Sequence, residues 1–166
     1  MLRLFLTGMF LAASATSARA DAILSAGMFA SGGALPAIGV SIGRTFEDLF
    51  GFELDWARSP GSDSPSGRRI TTFAGNLFGQ SRLIGRRLRL YGTGGIGVYG
   101  ETINDGGGSG AVAYGDIGGG MKIVLGGPLI LRLDYRVLLL GDASDSSQGS
   151  VVRRPQRLSA GVGFAF

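Results

Sequence analysis

The sequence of 166 residues contains no cysteine and no histidine, and its only lysine is Lys122. Without cysteine, the chain has no disulfide framework, no thiolate nucleophile and no cysteine-ligated zinc. Without histidine, it lacks the most frequent general base and the most frequent transition-metal ligand. Only 17% of residues are charged and 45% are hydrophobic, which excludes a wholly disordered chain. Long apolar runs are also missing, and the 31 glycines follow no collagen period.

Residues 1–20 have the features of a secretory signal peptide. Arg3 gives a positive start, an apolar stretch follows, and Ala18-Arg19-Ala20 is an A-x-A cleavage pattern. The apolar stretch is shorter than the ~20 residues of a membrane-spanning helix, which argues against an anchor. We therefore expect a mature chain of residues 21–166 that forms one domain. Export and a near-neutral mature charge make nucleic acid an unexpected partner.

The rest of the sequence alternates between apolar and polar residues with a period of two. In residues 129–139 the odd positions are apolar or aromatic, and Arg132, Asp134 and Arg136 lie between them. A strand places these three charges on one face, whereas a helix would scatter them. The predicted strands are residues 22–31, 36–43, 48–58, 68–78, 87–99, 111–125, 129–139 and 157–166.

Three apolar residues break this alternation, because Phe29, Ile70 and Phe78 fall on the polar face. The connections between the strands alternate in length. Short links are predicted near 44–48, 79–86 and 125–128, whereas long polar links are predicted at 57–68, 100–110 and 140–155, and the first outer link, 31–36, is short. Such alternation is typical of an outer-membrane barrel, whose strands need about 9–11 residues to cross. The predicted fold is all-β, an eight-stranded antiparallel up-and-down transmembrane β-barrel with both termini on the short-turn side.

The two faces of the predicted strands differ in the size of their side chains. Bulky residues such as Phe52, Trp56 and Leu133 share the apolar face, whereas the polar face is mostly Gly, Ser, Thr and Ala with a few charges. A soluble periplasmic ligand-binding barrel would point its apolar face inward and would need an outer face rich in Lys and Glu. The sequence therefore predicts that the apolar face contacts lipid in the cell outer membrane.

Charges on the polar face would be enclosed in the barrel, where an unpaired charge is costly. We therefore expect a structural salt-bridge network that plugs the lumen, with Arg132 and Arg136 within reach of Glu53, Asp55 or Asp116. The alternative is a narrow, gated, porin-like ion path lined by the same two arginines. The predicted lumen network consists of Glu53, Asp55, Arg89, Asp116, Lys122, Arg132, Asp134, Arg136 and Arg157.

The sequence ends on Gly161-Val162-Gly163-Phe164-Ala165-Phe166. A terminal Phe with apolar residues at alternate upstream positions resembles the C-terminal assembly signal of bacterial outer-membrane proteins. Phe164 and Phe166 are therefore the candidate signal residues. Their expected partner is the outer-membrane assembly machinery, and the other expected partners are outer-membrane lipid and lipopolysaccharide. We expect the protein to be a monomer.

Two segments carry a family resemblance. Val40-Ser41-Ile42-Gly43-Arg44, followed by Phe50-Gly51-Phe52-Glu53-Leu54-Asp55, is similar to the G-y-r-f…f-g-l-E-l-d pattern of the OmpA-like outer-membrane β-barrel family. The Thr72–Phe78 stretch with Asn76 and the terminal G-x-G-F-x-F also fit. The resemblance covers the mature chain and implies a small closed barrel with a side-chain-filled interior. No peptidoglycan-binding domain follows Phe166, so we expect no cell-wall anchoring role.

Other motifs carry little chemistry. The run from Gly92 to Gly97 matches G-x-G-x-x-G, but the alternation continues through it and no helix pattern follows, so a nucleotide site is not expected. Without histidine, no Ser–His pair is available for hydrolysis, so we expect no enzyme, no cofactor and no metal site. A carboxylate-only mechanism is the remaining enzymatic alternative, and its candidate residues are Glu101, Asp105, Asp142 and Asp145.

The long loops allow a role in surface interaction, such as adhesion, as a third class of function. Arg153 and Arg154 could contact lipid phosphates there, although two ordinary interfacial arginines explain the same pattern. We therefore expect a small integral outer-membrane barrel with a structural or surface-interaction role.

Overall fold

A computed structural model describes residues 18–31, 33–60, 67–103, 109–140 and 154–166, and it forms a closed antiparallel barrel. Its strands are β1 (Ala18–Ala30), β2 (Ala34–Phe46), β3 (Phe50–Arg58), β4 (Arg68–Gln80), β5 (Leu88–Ile103), β6 (Ser109–Gly126), β7 (Leu129–Leu140) and β8 (Gln156–Ala165). Each strand pairs with the next, and β8 pairs with β1. The predicted eight-stranded up-and-down barrel is confirmed. Among the described residues, no helix is long and apolar enough to cross a membrane.

The alternation of the sequence becomes an inner and an outer face of the barrel wall. Arg132, Asp134 and Arg136 of β7 are buried, whereas Leu77 of β4 and Ile96 of β5 are 73% and 77% exposed. The apolar face therefore points outward and the charged face points inward. This is the reverse of a soluble ligand-binding barrel, which surrounds its ligand with apolar side chains.

The apolar exceptions in the alternation have an interior position. Phe29 and Ile70 are fully buried and pack with Tyr99, Tyr114 and Leu138 in a cluster that we call the apolar layer. This layer lies toward the end of the barrel that carries the long links, because Leu138 follows Arg136 toward the end of β7. Interior side chains thus form an apolar layer beside a charged one.

Local turn geometry shifts several strand ends from the predicted positions. Glu47 and Asp48 have φ angles of 51° and 59°, and the amide of Leu49 donates to the carbonyl of Phe46 at 3.1 Å. These values fit the left-handed φ angles of a type I′ turn over residues 46–49, within a three-residue loop that connects Phe46 to its partner Phe50. Strand β3 therefore begins at Phe50 rather than at residue 48.

The N-terminal end of β1 includes part of the predicted signal peptide. Ala18, Arg19 and Ala20 continue β1 and pair with the end of β2, and the backbone of Ala20 exchanges hydrogen bonds of 2.7 and 2.8 Å with Phe166. Cleavage after Ala20 would remove these three residues from the strand. Residues 1–17 lie outside the described residues, as do 61–66, 104–108 and 141–153 of the predicted long links.

Candidate functional site

The described interior centres on Glu53 of β3, which is 2% exposed. Its Oε1 accepts from Arg136 Nη2 at 2.6 Å and from Arg132 Nη2 at 3.2 Å, and its Oε2 accepts from Arg132 Nη1. Two guanidinium groups from β7 thus converge on one carboxylate from the other side of the barrel. Charge-assisted bonds of this kind are roughly twice as strong as neutral ones.

Asp134 is the second buried acceptor for the same two arginines. Its Oδ1 accepts from Arg136 Nε at 2.8 Å, and its Oδ2 accepts from Arg132 Nη2 at 2.8 Å. The Tyr91 hydroxyl donates to Asp134 Oδ2 and accepts from Arg132 Nε at 2.7 Å. The Arg132 guanidinium also lies 4.7 Å from the centroid of the Tyr91 ring. Tyr91 therefore holds both charges in place.

Two further carboxylates extend this arrangement. Arg157 Nη1 and Nη2 donate to the two oxygens of Asp55 at 2.6 and 3.0 Å, a bidentate pair. Asp116 lies 3.6 Å from Arg136 Nη1. With its amide nitrogen turned toward Asp116, Asn76 donates to that carboxylate, and its oxygen accepts from Arg136 Nη1 at 2.7 Å. We refer to the charged residues of this network as the central cluster, which consists of Glu53, Asp55, Asp116, Arg132, Asp134, Arg136 and Arg157.

The short-turn end of the interior carries separate ion pairs. Lys122 Nζ donates to Asp21 Oδ2 at 2.5 Å and lies 4.8 Å from the Phe78 ring centroid. At the rim, Arg89 Nη1 donates to Asp48 Oδ1 at 3.2 Å. Lys122 and Arg89 therefore lie inside the barrel but pair outside the central cluster.

The opposite end carries an ion pair at the rim beyond the apolar layer. Arg68 binds Glu101 in a bidentate manner, with its Nη2 donating to Oε2 at 3.0 Å. Its Nη1 donates to the carbonyl of Ser31 at 2.6 Å, and the Tyr99 hydroxyl donates to Glu101 Oε2 at 3.1 Å. Along the barrel axis, the ion pairs of Lys122 and Arg89 come first and the central cluster second. The apolar layer follows, and the Arg68–Glu101 pair lies at the far rim.

Glycine on the inner face makes room for these long side chains. A Cβ at Gly120 would overlap the carbonyl oxygen of Leu133 and lie 2.9 Å from the Tyr91 hydroxyl. A Cβ at Gly118 would overlap the Tyr135 carbonyl and lie 2.8 Å from Arg136 Cγ. Close approach of strands is one of the reasons for glycine inside a strand.

Two cavities adjoin the described interior charges. A cavity of about 10 Å³ adjoins Asp55, Arg132, Asp134 and Arg157, which is room for about one water molecule. A second cavity of about 70 Å³ lies at the short-turn mouth beside Lys122. Within the described ranges, no group of three acidic side chains is arranged to hold a metal ion. The paired charges and the small cavity beside them favour a rigid central cluster.

All nine residues of the predicted lumen network point inward, and seven of them form the central cluster. Sequence reasoning did not assign Asp21, Tyr91 or Arg68 to this network. Asp21 and Tyr91 share the inward parity of their strands, and this parity is the signal that could have identified them. Phe164 and Phe166 are 56% and 75% exposed on the outer face.

Comparison with solved structures identifies the class of the fold. The chain superposes on Neisserial surface protein A with a TM-score of 0.67 at 17% identity, covering 90% of this chain and 97% of that one. The attachment invasion locus protein of Yersinia pestis, in complex with the heparin analogue sucrose octasulfate, gives 0.62 at 14% identity, covering 90% and 98%. A major outer membrane protein from Thermus thermophilus gives 0.63 at 14% identity, covering 90% and 100%.

The protein therefore has the fold of the small outer-membrane β-barrels. No protein-family model matches the chain, and no curated protein matches its sequence.

Proposed function

We propose that this protein is an integral outer-membrane barrel with a side-chain-plugged lumen and a structural or surface-interaction role. The observation that carries the proposal is the combination of an apolar outer wall with the central cluster inside it. Side chains such as Leu77 and Ile96 would be exposed to water in a soluble protein, whereas hydrocarbon accommodates them. The interior charges are correspondingly paired with each other.

The plug has two parts that would oppose ion flow for different reasons. An ion that crosses the central cluster must displace Arg132 or Arg136 from Glu53, and breaking a buried ion pair costs about 3–5 kcal/mol. The same ion must then pass the apolar layer around Phe29 and Ile70, which offers little hydration. We therefore propose a barrel that stays closed.

Membership of the OmpA-like family, export by the signal peptide and recognition of Phe164 and Phe166 by the outer-membrane assembly machinery are parts of the same proposal. Outer-membrane lipid and lipopolysaccharide would surround the monomeric barrel. The proposed role is non-catalytic, because the sequence has no histidine to serve as a general base. The proposed surface role concerns loops that lie mainly outside the described residues.

A narrow gated channel is the second candidate. It is favoured by the cavity of about 10 Å³ beside Arg132 and Asp134 and by the larger cavity at the short-turn mouth. Rearrangement of the two arginines could join such spaces into a path.

Single-channel recording in planar bilayers separates the two candidates. We expect silence from the purified protein, with insertion verified by the blue-shifted emission of Trp56, the one tryptophan of the sequence. The Phe29→Ala/Ile70→Ala/Arg136→Ala variant opens both parts of the plug and serves as the conducting control. Steady openings of the unmodified protein would reject the plugged lumen in favour of the channel.

A further inference from the structure

The outer wall of β4–β7 contains a shallow apolar groove of about 640 Å³. Gly75, Ala113 and Gly115 form its low floor, and Phe73, Ile96 and Leu139 rise beside them. Phe73, Ile96, Ala113, Gly115 and Leu139 lie in the halves of their strands nearer the long links, and Gly75 lies next to the middle of β4, so the groove extends from mid-barrel into one leaflet of the membrane.

Packing within the barrel does not require glycine in this floor. A Cβ at Gly75 would lie 3.9 Å from Leu54 Cδ2, and one at Gly115 would lie 3.6 Å from the Gly95 carbonyl. These are ordinary van der Waals distances, unlike the overlaps at Gly118 and Gly120. Since glycine weakens a strand, its presence here fits a surface against which another molecule packs closely.

Two arginines flank the groove on the membrane side of the barrel. Arg58 and Arg69 have outward parity, and Arg58 pairs with Thr71. Arg58 is thus diagonal to both Arg69 and Phe73, at the roughly 7–8 Å that separates diagonal neighbours in a sheet. Over the described part of the chain, neither arginine makes an ion pair, whereas Arg68 points inward and binds Glu101.

We propose that Arg58 and Arg69 bind the phosphate of an anionic lipid in the adjacent leaflet, and that one acyl chain of this lipid lies in the groove beside Phe73. Charge complementarity selects this occupant, because two unpaired cations stand beside an apolar surface at the depth of lipid chains. Cations near a membrane surface contribute about 1 kcal/mol each to the attraction of anionic lipid. The inference rests on the proposed membrane location.

Trp56 lies close enough to the proposed site for its fluorescence to report lipid binding there. It pairs with Phe73 in the register and precedes Arg58 by two residues on the same face. We would reconstitute the protein into phosphatidylcholine vesicles and measure quenching of Trp56 by brominated phosphatidylglycerol and, separately, by brominated phosphatidylcholine. We expect the anionic lipid to compete about thirtyfold better for the site.

Three variants test the two halves of the proposal. Arg58→Gln/Arg69→Gln should bring the preference close to one, whereas Arg82→Gln/Arg86→Gln, with the same charge change at exposed positions near the short turns, should keep it. Gly115→Val fills the floor where a Cβ has room and should lower anionic binding at least about twofold.

The outcomes are distinct. Equal quenching by the two lipids in the unmodified protein, or an unchanged preference in Arg58→Gln/Arg69→Gln, would overturn the site. Unchanged binding of the anionic lipid by Gly115→Val would overturn the chain-binding groove. If light scattering shows the unmodified protein to be a dimer that Gly115→Val dissociates, the occupant of the groove is a second copy and the lipid is rejected. Absence of quenching by both lipids would instead reject the membrane location itself.

Discussion

Substitution of Glu53 by Gln tests whether the central cluster stabilises the barrel. The variant keeps the shape of the side chain but removes its charge. It also places an amide NH₂ group, which is a donor, against the N–H donors of Arg132 and Arg136. Glu53 accepts bonds from Arg132 Nη1, Arg132 Nη2 and Arg136 Nη2. Hydrogen bonds to charged groups contribute about 1.5–3 kcal/mol each, and removal of one partner of a buried pair costs about 3–5 kcal/mol. Since Asp134 still binds both arginines, we expect a loss of about 3–5 kcal/mol in the free energy of unfolding.

The assay is reversible urea unfolding in detergent micelles or vesicles, followed by Trp56 emission. Glu47→Gln is the matched control, because Glu47 is exposed in the β2–β3 turn and should change the stability by less than about 0.5 kcal/mol. Arg132→Met combined with Glu53→Gln should cost less than the two single changes together, by about 2–3 kcal/mol. Additive losses, or a Glu53→Gln effect no larger than that of Glu47→Gln, would refute the reasoning.

Two other predictions use the same structure. Gly120→Ala should lower the free energy of unfolding by about 2 kcal/mol or more, because its Cβ overlaps the Leu133 carbonyl. Gly75→Ala should be neutral or stabilising within about 1 kcal/mol, because its Cβ has room. Equal urea midpoints of the two variants would contradict this prediction. Phe166→Ala should reduce the membrane-integrated fraction in cells severalfold while leaving spontaneous refolding into micelles unchanged, and Phe46→Ala, at the same rim, is the control. A loss in both settings would assign Phe166 to stability rather than to assembly.

The inner and outer faces could be predicted from the sequence because side chains of a strand alternate with a strict period of two. Arg132, Asp134 and Arg136 reveal this period directly. Phe29 and Ile70 were already recognisable as exceptions, but only the closed barrel shows that they meet Tyr99 and Tyr114 in one layer. The even or odd position of a residue in its strand assigns it to the inner or outer face. This position gives no information about where along the barrel axis the side chain lies.

The ion-pair partners were less predictable because they depend on barrel closure. Arg157 binds Asp55, and Lys122 binds Asp21, across the lumen between strands that are not neighbours. The local spacing of residues in the sequence does not indicate such long-range pairs. The turn at Glu47 and Asp48 also has no glycine or asparagine to indicate its left-handed conformation, so its boundary was missed.

The seam between β1 and β8 sets the order in which the barrel can form. Every other strand pair joins neighbours in the sequence, whereas this ladder joins Asp21 to Ala165, at opposite ends of the described chain. Loop-closure entropy makes such a pairing slow compared with hairpins. Until it forms, β1 and β8 are open edges able to pair with another chain. We therefore expect closure of this seam to come late in folding and to remove both open edges at once.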